Sequence, residues 1–452
     1  MLNGLPQPTV QQDEGSNKRS SRRSSSGGRV RWWIGWTLFF STVTNYISRQ
    51  TFSVLSPVIV QQYHLSHTQL ARILGAFQIS YALTWLLGGF LLDAVGTRLC
   101  LALAATLWSV VNILTGFAHS VFGFTAFRFL LGIGEGFNWP GASKTVAEWF
   151  PNEERSVAVA LFDSGSSVGG AVAAMVIPVI ALSVGWRWSF VFSGAISLLW
   201  VALWLRIYHP LDRHPKVTRE ELAFIRDGQD MSATSDLKGA QRWLSVLRNP
   251  NTWAIILGRA FTEPIWWFYA FWLPQYLSDA RGFSLKRIAL FAWIPFVAAD
   301  LGNFTGGLLS GYFVRRGWPV LRARTWVCIV SCLPILAGIP AATVHSAYLA
   351  LTLICIALWG YASWATMALT LPSDLFPQDV VATVTGLSGF SSGIASTLFT
   401  FAVGFLVDRF SYRPAFIVAG LLPLSATACL LLLVRDKRTD SPLPIQPAVA
   451  SH

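Results

Sequence analysis

The sequence contains few charged residues. Asp, Glu, Lys and Arg together make up 12% of its 452 residues, whereas hydrophobic residues make up 53% and the mean hydropathy is +0.49. A soluble domain of this size is typically about one quarter charged. The composition therefore excludes an ordinary soluble protein and indicates a membrane protein.

Cysteine and histidine are also scarce. The five cysteines lie in or beside apolar stretches without metal-site spacing, so we predict buried thiols rather than disulfides. The seven histidines lie in loops, in tails or at the ends of apolar stretches, which argues against an intramembrane histidine relay or metal site. A membrane enzyme such as an integral acyltransferase would need a base or nucleophile inside the membrane, and no histidine is available there. We therefore predict no enzymatic activity, no metal and no cofactor.

The N-terminal residues 1–31 lack the apolar core and the small-residue cleavage site of a signal peptide. They include the basic, Ser-rich stretch KRSSRRSSSGGRVR, which predicts a disordered tail. A solvated tail that orients the protein is favoured over one that binds anionic lipid, which stays the alternative.

Apolar stretches long enough to cross a bilayer recur along the rest of the chain, because about 20 residues of helix span the hydrocarbon core. They predict an all-α membrane protein with twelve transmembrane helices. The stretches are 32–60, 68–92, 98–118, 120–147, 156–183, 187–208, 252–278, 286–313, 321–343, 346–371, 380–407 and 413–434.

The net charge of +12 could suggest a nucleic-acid partner, but the positions of the basic residues indicate topology instead. With twelve spans that start inside, 24 of the 34 Lys and Arg residues fall on the inner side and only seven on the outer side. By the positive-inside rule, both termini are predicted to be cytoplasmic. We therefore expect contact with the lipid bilayer and none with nucleic acid.

An internal repeat links the two halves of the sequence. At an offset of 226 residues, 148–194 resembles 374–420, with a Phe-Pro pair and an Arg in register. Such duplicates predict two six-helix halves related by an axis along the membrane normal, with a substrate site between them. The predicted domains are a tail (1–31), a first half (32–208), a cytoplasmic linker (209–250), a second half (251–434) and a cytoplasmic tail (435–452).

Arg49 lies near the middle of the first apolar stretch, in NYISRQ. An ionisable group at this depth costs several kcal/mol unless it faces a partner or a watery cavity. One interpretation is a packing charge bonded to backbone carbonyls. The favoured one is a fixed cation for an anionic substrate, because guanidinium binds carboxylate in a bidentate manner. Tyr46 and Asn45 lie on a similar face and offer groups suited to sugar hydroxyls.

The fourth stretch carries two further charges, in RFLLGIGEGFNWPG. Arg128 and Glu135 lie seven residues apart, about 10 Å along one helix face, and Asn138 continues that face. The Arg and the Glu could form a structural network. The favoured hypothesis is a coupled binding and protonation site, since a desolvated Glu can switch protonation when its cation binds another anion.

Three more intramembrane charges are Asp163, Arg259 and Glu263. Asp163 could be a gate charge facing the cytoplasm, and the i, i+4 spacing of Arg259 and Glu263 could let them neutralise each other. Glu263 precedes Pro264, which often marks a broken, cavity-lining helix. Aromatic residues of the same stretch, such as Trp267 and Tyr269, could stack on a sugar ring, although most of the 21 Trp must be packing or interfacial residues.

Several motifs together resemble the anion:cation symporter family of the major facilitator superfamily. They are NYISRQTFS, FRFLLGIGEGFNWPG, EWFPNEERS, LPSDLFPQDVVATVTGL and the loop GFLLDAVGTR. RAFTEPIWWF and LFAWIPFVAADLGN resemble, more narrowly, the bacterial hexuronate transporters, and the resemblance covers about residues 30–435. It implies proton-coupled import of an organic anion through the inner membrane by a monomer.

The resemblance also implies roles for particular residues. Arg49, Arg128 and Glu135 match family positions for anion binding and coupling. Asp93, in the superfamily loop, is interpreted as a residue that caps or latches the cytoplasmic gate together with Arg98. Two positions depart from the family: Ala94 replaces a basic residue, and Ser48 replaces an acid that is a candidate proton site. Proton coupling is therefore expected to use Glu135 and, in addition, Asp163 or Glu263.

The predicted function is secondary transport of a hexuronate such as galacturonate or glucuronate with protons. Another organic anion (an aldonate, an aldarate or an aromatic carboxylate) stays open as the substrate, as does a transporter-like sensor. A ring-form sugar acid needs a cation, an aromatic platform and amide or phenol groups. The predicted substrate-binding residues are Arg49, Tyr46, Arg128, Asn138, Trp267, Tyr269 and Asn303, and the predicted proton-coupling residues are Glu135, Asp163 and Glu263.

Overall fold

The computed structural model describes residues 30–227, 246–376 and 378–435. Over these residues the chain is built of α-helices joined by short connections, and no β-strand occurs in this part of it. The predicted N-terminal tail (1–31) and C-terminal tail (435–452) lie almost entirely outside the described residues, and so does much of the predicted linker.

The first half of the chain forms seven helices, and a short helix follows them. They are α1 (Val30–Tyr63), α2 (His67–Val95), α3 (Thr97–Thr115), α4 (Val121–Glu135), α5 (Asn138–Trp149), α6 (Asn152–Val184), α7 (Trp186–Ile207) and α8 (Arg219–Asp227). The second half forms α9 (Pro250–Asp279), α10 (Leu285–Phe291), α11 (Ile294–Arg315), α12 (Val320–Leu336), α13 (Gly338–Ala341), α14 (Ala347–Leu375), α15 (Gln378–Arg409) and α16 (Arg413–Leu433).

These helices make twelve membrane-length segments, which confirms the predicted fold class. Nine segments are single helices, and three are broken into two: α4 with α5, α10 with α11, and α12 with α13. Eight of the twelve are long and apolar enough to cross a membrane by length and composition alone. The other four are α1, α2, the α4–α5 pair and α9. Three of these four segments carry buried charged side chains: Arg49 on α1, Arg128 and Glu135 on α4, and Arg259 on α9.

The helix boundaries reproduce the internal repeat. α6 begins at Asn152 and α15 begins at Gln378, which are 226 residues apart, the same offset that aligns the two halves of the sequence. The next helices begin at Trp186 and Arg413, one residue from that offset. Duplicated sequence has therefore folded into duplicated helices. The halves meet where α1 packs on α9, α2 on α15, and α6 on α10 and α11.

Both described chain ends lie at the same end of the helix bundle, here called the terminal end. The Arg31 backbone N–H donates to Glu221 of α8 at 3.2 Å, and the Arg435 backbone N–H donates to Asn251 of α9 at 2.8 Å. α8 lies within the predicted linker (209–250), and α9 begins at the end of that linker. The opposite end, where α1 ends and α2 begins, is here called the far end.

Two prolines lie within helices that they do not interrupt, and for Pro264 this differs from the expectation drawn from the sequence. α9 runs without a break through Pro264, so this proline does not divide the helix that carries Glu263. The fourth segment does break, but at Gly136 and Phe137, before Pro140. Pro140 lies in the first turn of α5, where a proline needs no backbone hydrogen bond.

Glycines allow the closest helix contacts. A Cβ atom on Gly132 would lie 2.1 Å from the Ser80 hydroxyl oxygen and 2.5 Å from the Phe77 carbonyl oxygen of α2. A Cβ on Gly302 would lie 2.2 Å from the Trp359 carbonyl oxygen. Small residues at such crossings are the usual way for membrane helices to approach each other. The close approach of α4 to α2 brings the aromatic residues of α2 against the charges of α1 and α4.

Candidate functional site

Arg49 lies between the two halves and is almost fully buried. Its Nε atom donates to Oε2 of Glu135 at 2.9 Å, and Nη2 donates to Oδ1 of Asn45 at 3.0 Å. Arg49 is 2% exposed and Glu135 is fully buried. The ion pair therefore joins α1 to the last residue of α4. The sequence placed Glu135 on a shared face with Arg128, whereas in the structure its hydrogen-bonded cation is Arg49.

Four aromatic rings surround the Arg49 guanidinium. Its Cζ atom lies 4.5 Å from the ring centre of Tyr46, 4.6 Å from that of Tyr81, 5.3 Å from that of Phe77 and 5.4 Å from that of Trp267. These are distances at which a cation is attracted to the face of a π-system. Trp267 belongs to the second half, so the aromatic cage around Arg49 is completed across the interface.

Arg128 lies one layer closer to the far end. Its guanidinium Cζ lies 4.5 Å from the Phe77 ring centre, and Nη1 donates to the Arg49 backbone carbonyl at 3.3 Å. The residue is 1% exposed. Its Nε and Nη2 atoms have no hydrogen-bond partner among the described residues. These two atoms form the edge of a guanidinium that can hold a carboxylate through two parallel hydrogen bonds.

Asn138 is committed to helix packing. Its Oδ1 accepts a hydrogen bond from Ser41 at 2.6 Å, and its Nδ2 donates to the Thr42 hydroxyl at 3.2 Å. It is the first residue of α5, directly after the break in the fourth segment. The break therefore turns the Asn138 amide toward α1, the helix that also carries Arg49.

A second group of charges lies closer to the terminal end. Arg259 Nη2 donates to Glu263 Oε2 at 3.1 Å within α9, so the two residues pair as their spacing suggested. Across the interface, the Ser167 hydroxyl of α6 donates to Oδ1 of Asp300 on α11 at 2.5 Å. Asp163 lies within electrostatic range of both Asp300 and Glu263. The side chains of Arg259 and Glu263 are 10% and 21% exposed, so this group is less sealed than the Arg49–Glu135 pair.

Two of the predicted substrate-binding residues lie away from Arg49. Tyr269 packs against Phe268 and Phe416, with ring centres 5.1 and 5.9 Å away, inside the second half. Asn303 is partly buried on α11, and its Oδ1 accepts from the Thr366 hydroxyl at 3.0 Å. The structure thus brings Tyr46, Arg49 and Trp267 together and leaves Tyr269 and Asn303 outside that cluster.

At the predicted gate, Arg98 Nη2 donates to the Leu205 carbonyl of α7 at 2.6 Å. The side chain of Asp93 lies outside the described residues. The predicted role of Asp93 at the cytoplasmic gate therefore stays a prediction.

Sequence reasoning missed Tyr81 and Phe77, which form two walls of the cage around Arg49. They lie on α2, one helical turn apart, in a stretch without any charge to draw attention. Aromatic residues are so common in this chain that the sequence alone cannot indicate which of their rings face a cation. Asp300 is a further intramembrane charge that the sequence does indicate, and the structure adds its hydrogen bond from Ser167 across the interface.

Comparison with known proteins agrees with this architecture. The family model described as Major Facilitator Superfamily matches residues 38–400. The hexuronate transporter of Escherichia coli (strain K12) is 32% identical over 410 residues, which cover 90% of this chain and 95% of that protein. The galacturonate transporter of Dickeya chrysanthemi is 35% identical over 288 residues, covering 63% of this chain and 83% of that protein.

The fold is also that of solved structures. A bacterial homologue of the human lysosomal transporter Spinster, in an inward-facing and occupied conformation, superposes with a TM-score of 0.68 at 20% identity. The match covers 90% of this chain and 95% of that one. At this identity the likeness bears on the fold alone.

Proposed function

The chain belongs to the major facilitator superfamily, and from this premise we propose that it imports a sugar-acid anion with protons by alternating access. It is a multi-pass membrane transporter and not an enzyme. We place it in the inner membrane as a monomer, with the terminal end in the cytoplasm. The excess of Lys and Arg on that side of the sequence supports this orientation.

The enclosed guanidinium of Arg49 is the observation that carries the proposal. Arg49, Arg128 and Glu135 are all buried, and when all three are ionised they leave one net positive charge in the interior. An uncompensated charge in a low-dielectric interior is costly, and a bound anion offsets that cost. The site therefore favours a ligand with one negative charge over a neutral one.

The proposed binding step exchanges one carboxylate for another. In this structure Glu135 occupies Nε of Arg49, while its other carboxyl oxygen, Oε1, has no hydrogen-bond partner among the described residues. Protonation of Glu135 removes its charge and frees Arg49 for the carboxylate of the substrate. The open Nε–Nη2 edge of Arg128 lies close by and offers a second pair of donors.

The same exchange couples substrate to protons. Arg49 binds the carboxylate of the substrate most strongly when Glu135 is protonated and therefore neutral. Substrate and proton thus bind together. We assign the proton to the set of acids centred on Glu135 rather than to one residue, because neighbouring carboxyls titrate as a group. Asp163, Glu263 and Asp300 lie between this pair and the terminal end, where they can pass the proton to the cytoplasm.

A hexuronate is the substrate that the side chains around Arg49 suit best. A pyranose uronate has one carboxylate, several hydroxyls and a flat apolar face. Around Arg49 stand the phenols of Tyr46 and Tyr81 and the indole of Trp267, so hydrogen-bonding groups and an aromatic face surround the cation. The names of the Escherichia coli and Dickeya chrysanthemi relatives point to the same substrate class.

Uptake of labelled galacturonate into proteoliposomes tests this function. We expect accumulation when the outside is acidic and the inside is alkaline, and loss of accumulation when a protonophore is added. Glucuronate should compete strongly, galactonate and glucarate weakly, and neutral galactose hardly at all. Equal competition by galactose would rule out a carboxylate–arginine interaction as the basis of binding. Stronger competition by galactonate would show that the protein is an aldonate carrier.

A further inference from the structure

At the far end, one histidine of the first half lies between two aspartates of the second half. His67, the first residue of α2, has Nε2 2.9 Å from Oδ2 of Asp279 and Nδ1 2.9 Å from Oδ1 of Asp408. Asp279 is the last residue of α9, and Asp408 lies at the end of α15. Three helices from both halves therefore meet on one imidazole ring, here called the His67 cluster (His67, Asp279 and Asp408).

Asp408 also caps the helix that His67 begins. Its carboxylate accepts the backbone N–H of His67 at 2.9 Å, the backbone N–H of Thr68 at 2.7 Å and the Thr68 hydroxyl at 2.5 Å. The first N–H groups of a helix have no partner within the helix and carry a partial positive charge. A side chain of the second half thus satisfies the N-terminus of a 29-residue helix in the first half.

The geometry around the ring favours a doubly protonated imidazole. A neutral histidine has one N–H group, so it can donate to only one of the two carboxylates, and its other nitrogen would turn a lone pair toward the second. The imidazolium form donates to both. The His67 cluster is complete only with a proton bound.

The surroundings of the ring agree with this protonation state. The titratable groups that face it, within the described part of the chain, are Asp279 from α9, Asp408 from α15 and Tyr412 from the turn before α16. The Trp272 ring stacks on the imidazole of His67, with the two ring centres 6.5 Å apart. Burial lowers the pKa of His67, but the hydrogen bonds and charges of Asp279 and Asp408 outweigh burial, so the pKa is raised.

The two carboxyl groups respond in the complementary direction. Burial raises the pKa of Asp279, yet hydrogen bonds from His67, Gln275 and Tyr412 lower it below its usual value. Burial also raises the pKa of Asp408, but the hydrogen bonds from Thr68 and His67 together outweigh it, so that pKa is lowered as well. The side chains are 24% (His67), 33% (Asp279) and 26% (Asp408) exposed, so protons from the far end can reach them.

We propose that the His67 cluster is the outer latch of the transport cycle, and that it closes the far end only when His67 has taken up a proton from outside. The latch positions the two halves and does not touch the substrate. The assignment of the far end to the outside rests on the proposed function. The bonds of His67 and Thr68 to the two aspartates all join the two halves, so opening the far end to load substrate requires them to break.

The direction of the pH dependence follows from linkage. His67 has a raised pKa in the closed state and an ordinary one, about 6.5, when the latch is open and the ring is solvated. Its contribution to the closed state is therefore fully present below about pH 6.5 and is lost as the pH rises through the raised value. The aspartates, with lowered pKa values, keep their contribution until the pH falls below the usual range for aspartate. External acid thus favours closure of the far end, and alkaline conditions favour opening.

The test measures the separation of the two halves at the far end in the purified full-length protein. Spin labels on cysteines introduced at Ser183 and Thr343, two exposed far-end residues of opposite halves, report the distance after the native cysteines have been replaced. Lowering the pH from 8 to 5.5 should raise the ratio of the short-distance to the long-distance population by about two- to fivefold, the effect expected of a partly exposed ion pair.

Three variants separate a proton-dependent latch from a merely structural contact. H67Q should shift the population toward the long distance and remove its pH dependence. H67K, which keeps a permanent cation, should restore the short distance at both pH values. H119Q, at an exposed histidine of the same face, should behave like wild type. A wild-type distance distribution that is the same at both pH values, or an H67Q protein that keeps the full pH response, would overturn the proposal.

The variants also yield information if H67Q folds poorly. The D279N variant keeps the hydrogen bonds with which Asp408 caps α2, and it removes one of the two negative charges beside the imidazole ring. It should therefore weaken the pH response without abolishing closure. A D279N protein with the wild-type pH response would also overturn the proposal. The distance measurement needs no substrate, whereas galacturonate uptake by wild-type proteoliposomes tests the transport function. Failure of one is therefore distinguishable from failure of the other.

Discussion

Arg49 on α1 and Glu135 at the end of α4 form an ion pair with an Nε–Oε2 distance of 2.9 Å, and neither side chain is more than 2% exposed. A buried pair of this kind gains little over apolar packing, but removal of one partner alone costs about 3–5 kcal/mol, because the other charge is left uncompensated. A substrate carboxylate can supply that missing partner. The pair is therefore suited to alternate between an internal and an external anion.

Replacement of Glu135 by Gln should separate exchange from accumulation. Gln cannot ionise, so it resembles the protonated acid and leaves Arg49 free for substrate. We expect E135Q to retain exchange of labelled galacturonate between two substrate-loaded compartments and to lose accumulation driven by a pH gradient. Both activities can be measured in proteoliposomes of the same preparation.

The matched control for that variant is E220Q, at an exposed glutamate on α8, which should leave both activities unchanged. E263Q provides the second comparison, because Glu263 belongs to the group of charges closer to the terminal end. Full gradient-driven uptake by E135Q would move the coupling role to Asp163 or Glu263.

Replacement of Arg49 should weaken substrate binding more than it weakens the fold. Truncating one partner of a buried, hydrogen-bonded charge pair costs about 2–5 kcal/mol of binding free energy, and each 1.4 kcal/mol is about a tenfold change in Kd. We expect R49K to bind galacturonate at least about tenfold more weakly, since lysine keeps the charge but loses the planar fork. Isothermal titration of purified protein measures the Kd.

The control for Arg49 is R287K, at an exposed arginine of the far end, which should bind as wild type does. The elution profile in size-exclusion chromatography shows whether R49K is folded. A folded R49K protein with wild-type affinity would assign Arg49 to helix packing instead of binding.

The sequence predicts the fold well because its signals are local. Apolar runs of membrane length define the twelve segments, and the 226-residue offset appears again in the starts of α6 and α15. The breaks inside segments are harder to predict, since tertiary packing decides them. Gly136 and Phe137 interrupt the fourth segment although Pro140 is the obvious candidate, and α9 stays continuous through Pro264.

The site is only partly predictable because charge identifies residues but not their partners. Arg49, Arg128 and Glu135 stand out as ionisable groups in apolar sequence, yet their spacing along the chain cannot reveal that Glu135 bonds Arg49 across two helices. The same limit hides His67. A histidine at the end of an apolar stretch looks like an ordinary loop residue until the fold brings two aspartates from the other half against it.

Close packing of α11 on α14 gives a prediction about stability. An alanine at Gly302 would place its Cβ 2.2 Å from the Trp359 carbonyl oxygen, whereas nothing lies within 4 Å of a Cβ at Gly307 on the same helix. Overpacking of this kind costs about 1–3 kcal/mol. We expect G302A to lower the melting temperature in detergent and G307A to leave it unchanged. Equal melting temperatures for the two variants would show that the helices can separate at no cost.

Trp267 provides the prediction about selectivity. Its ring is the member of the Arg49 cage that comes from the second half, and it contacts Tyr81 and Phe271 with ring centres 5.8 and 5.0 Å away. If it supports the flat face of a pyranose, W267A should lose affinity for galacturonate by about two- to tenfold, since aromatic contacts are worth about 0.5–1.5 kcal/mol. The open-chain acid galactonate has no such face, so its weaker competition should change little.

The ratio of the two affinities is the decisive quantity for this variant. Loss of packing around Arg49 would weaken the binding of both acids in parallel and leave the ratio constant, whereas loss of a stacking platform lowers the affinity for the ring form alone. W267F, which keeps an aromatic face, should fall between wild type and W267A. W253A, at an exposed tryptophan on the same helix, should leave the ratio at its wild-type value. A constant ratio in W267A would make Trp267 a residue that closes the cage around Arg49, and the preference for a ring-form substrate would then have to come from the phenols of Tyr46 and Tyr81.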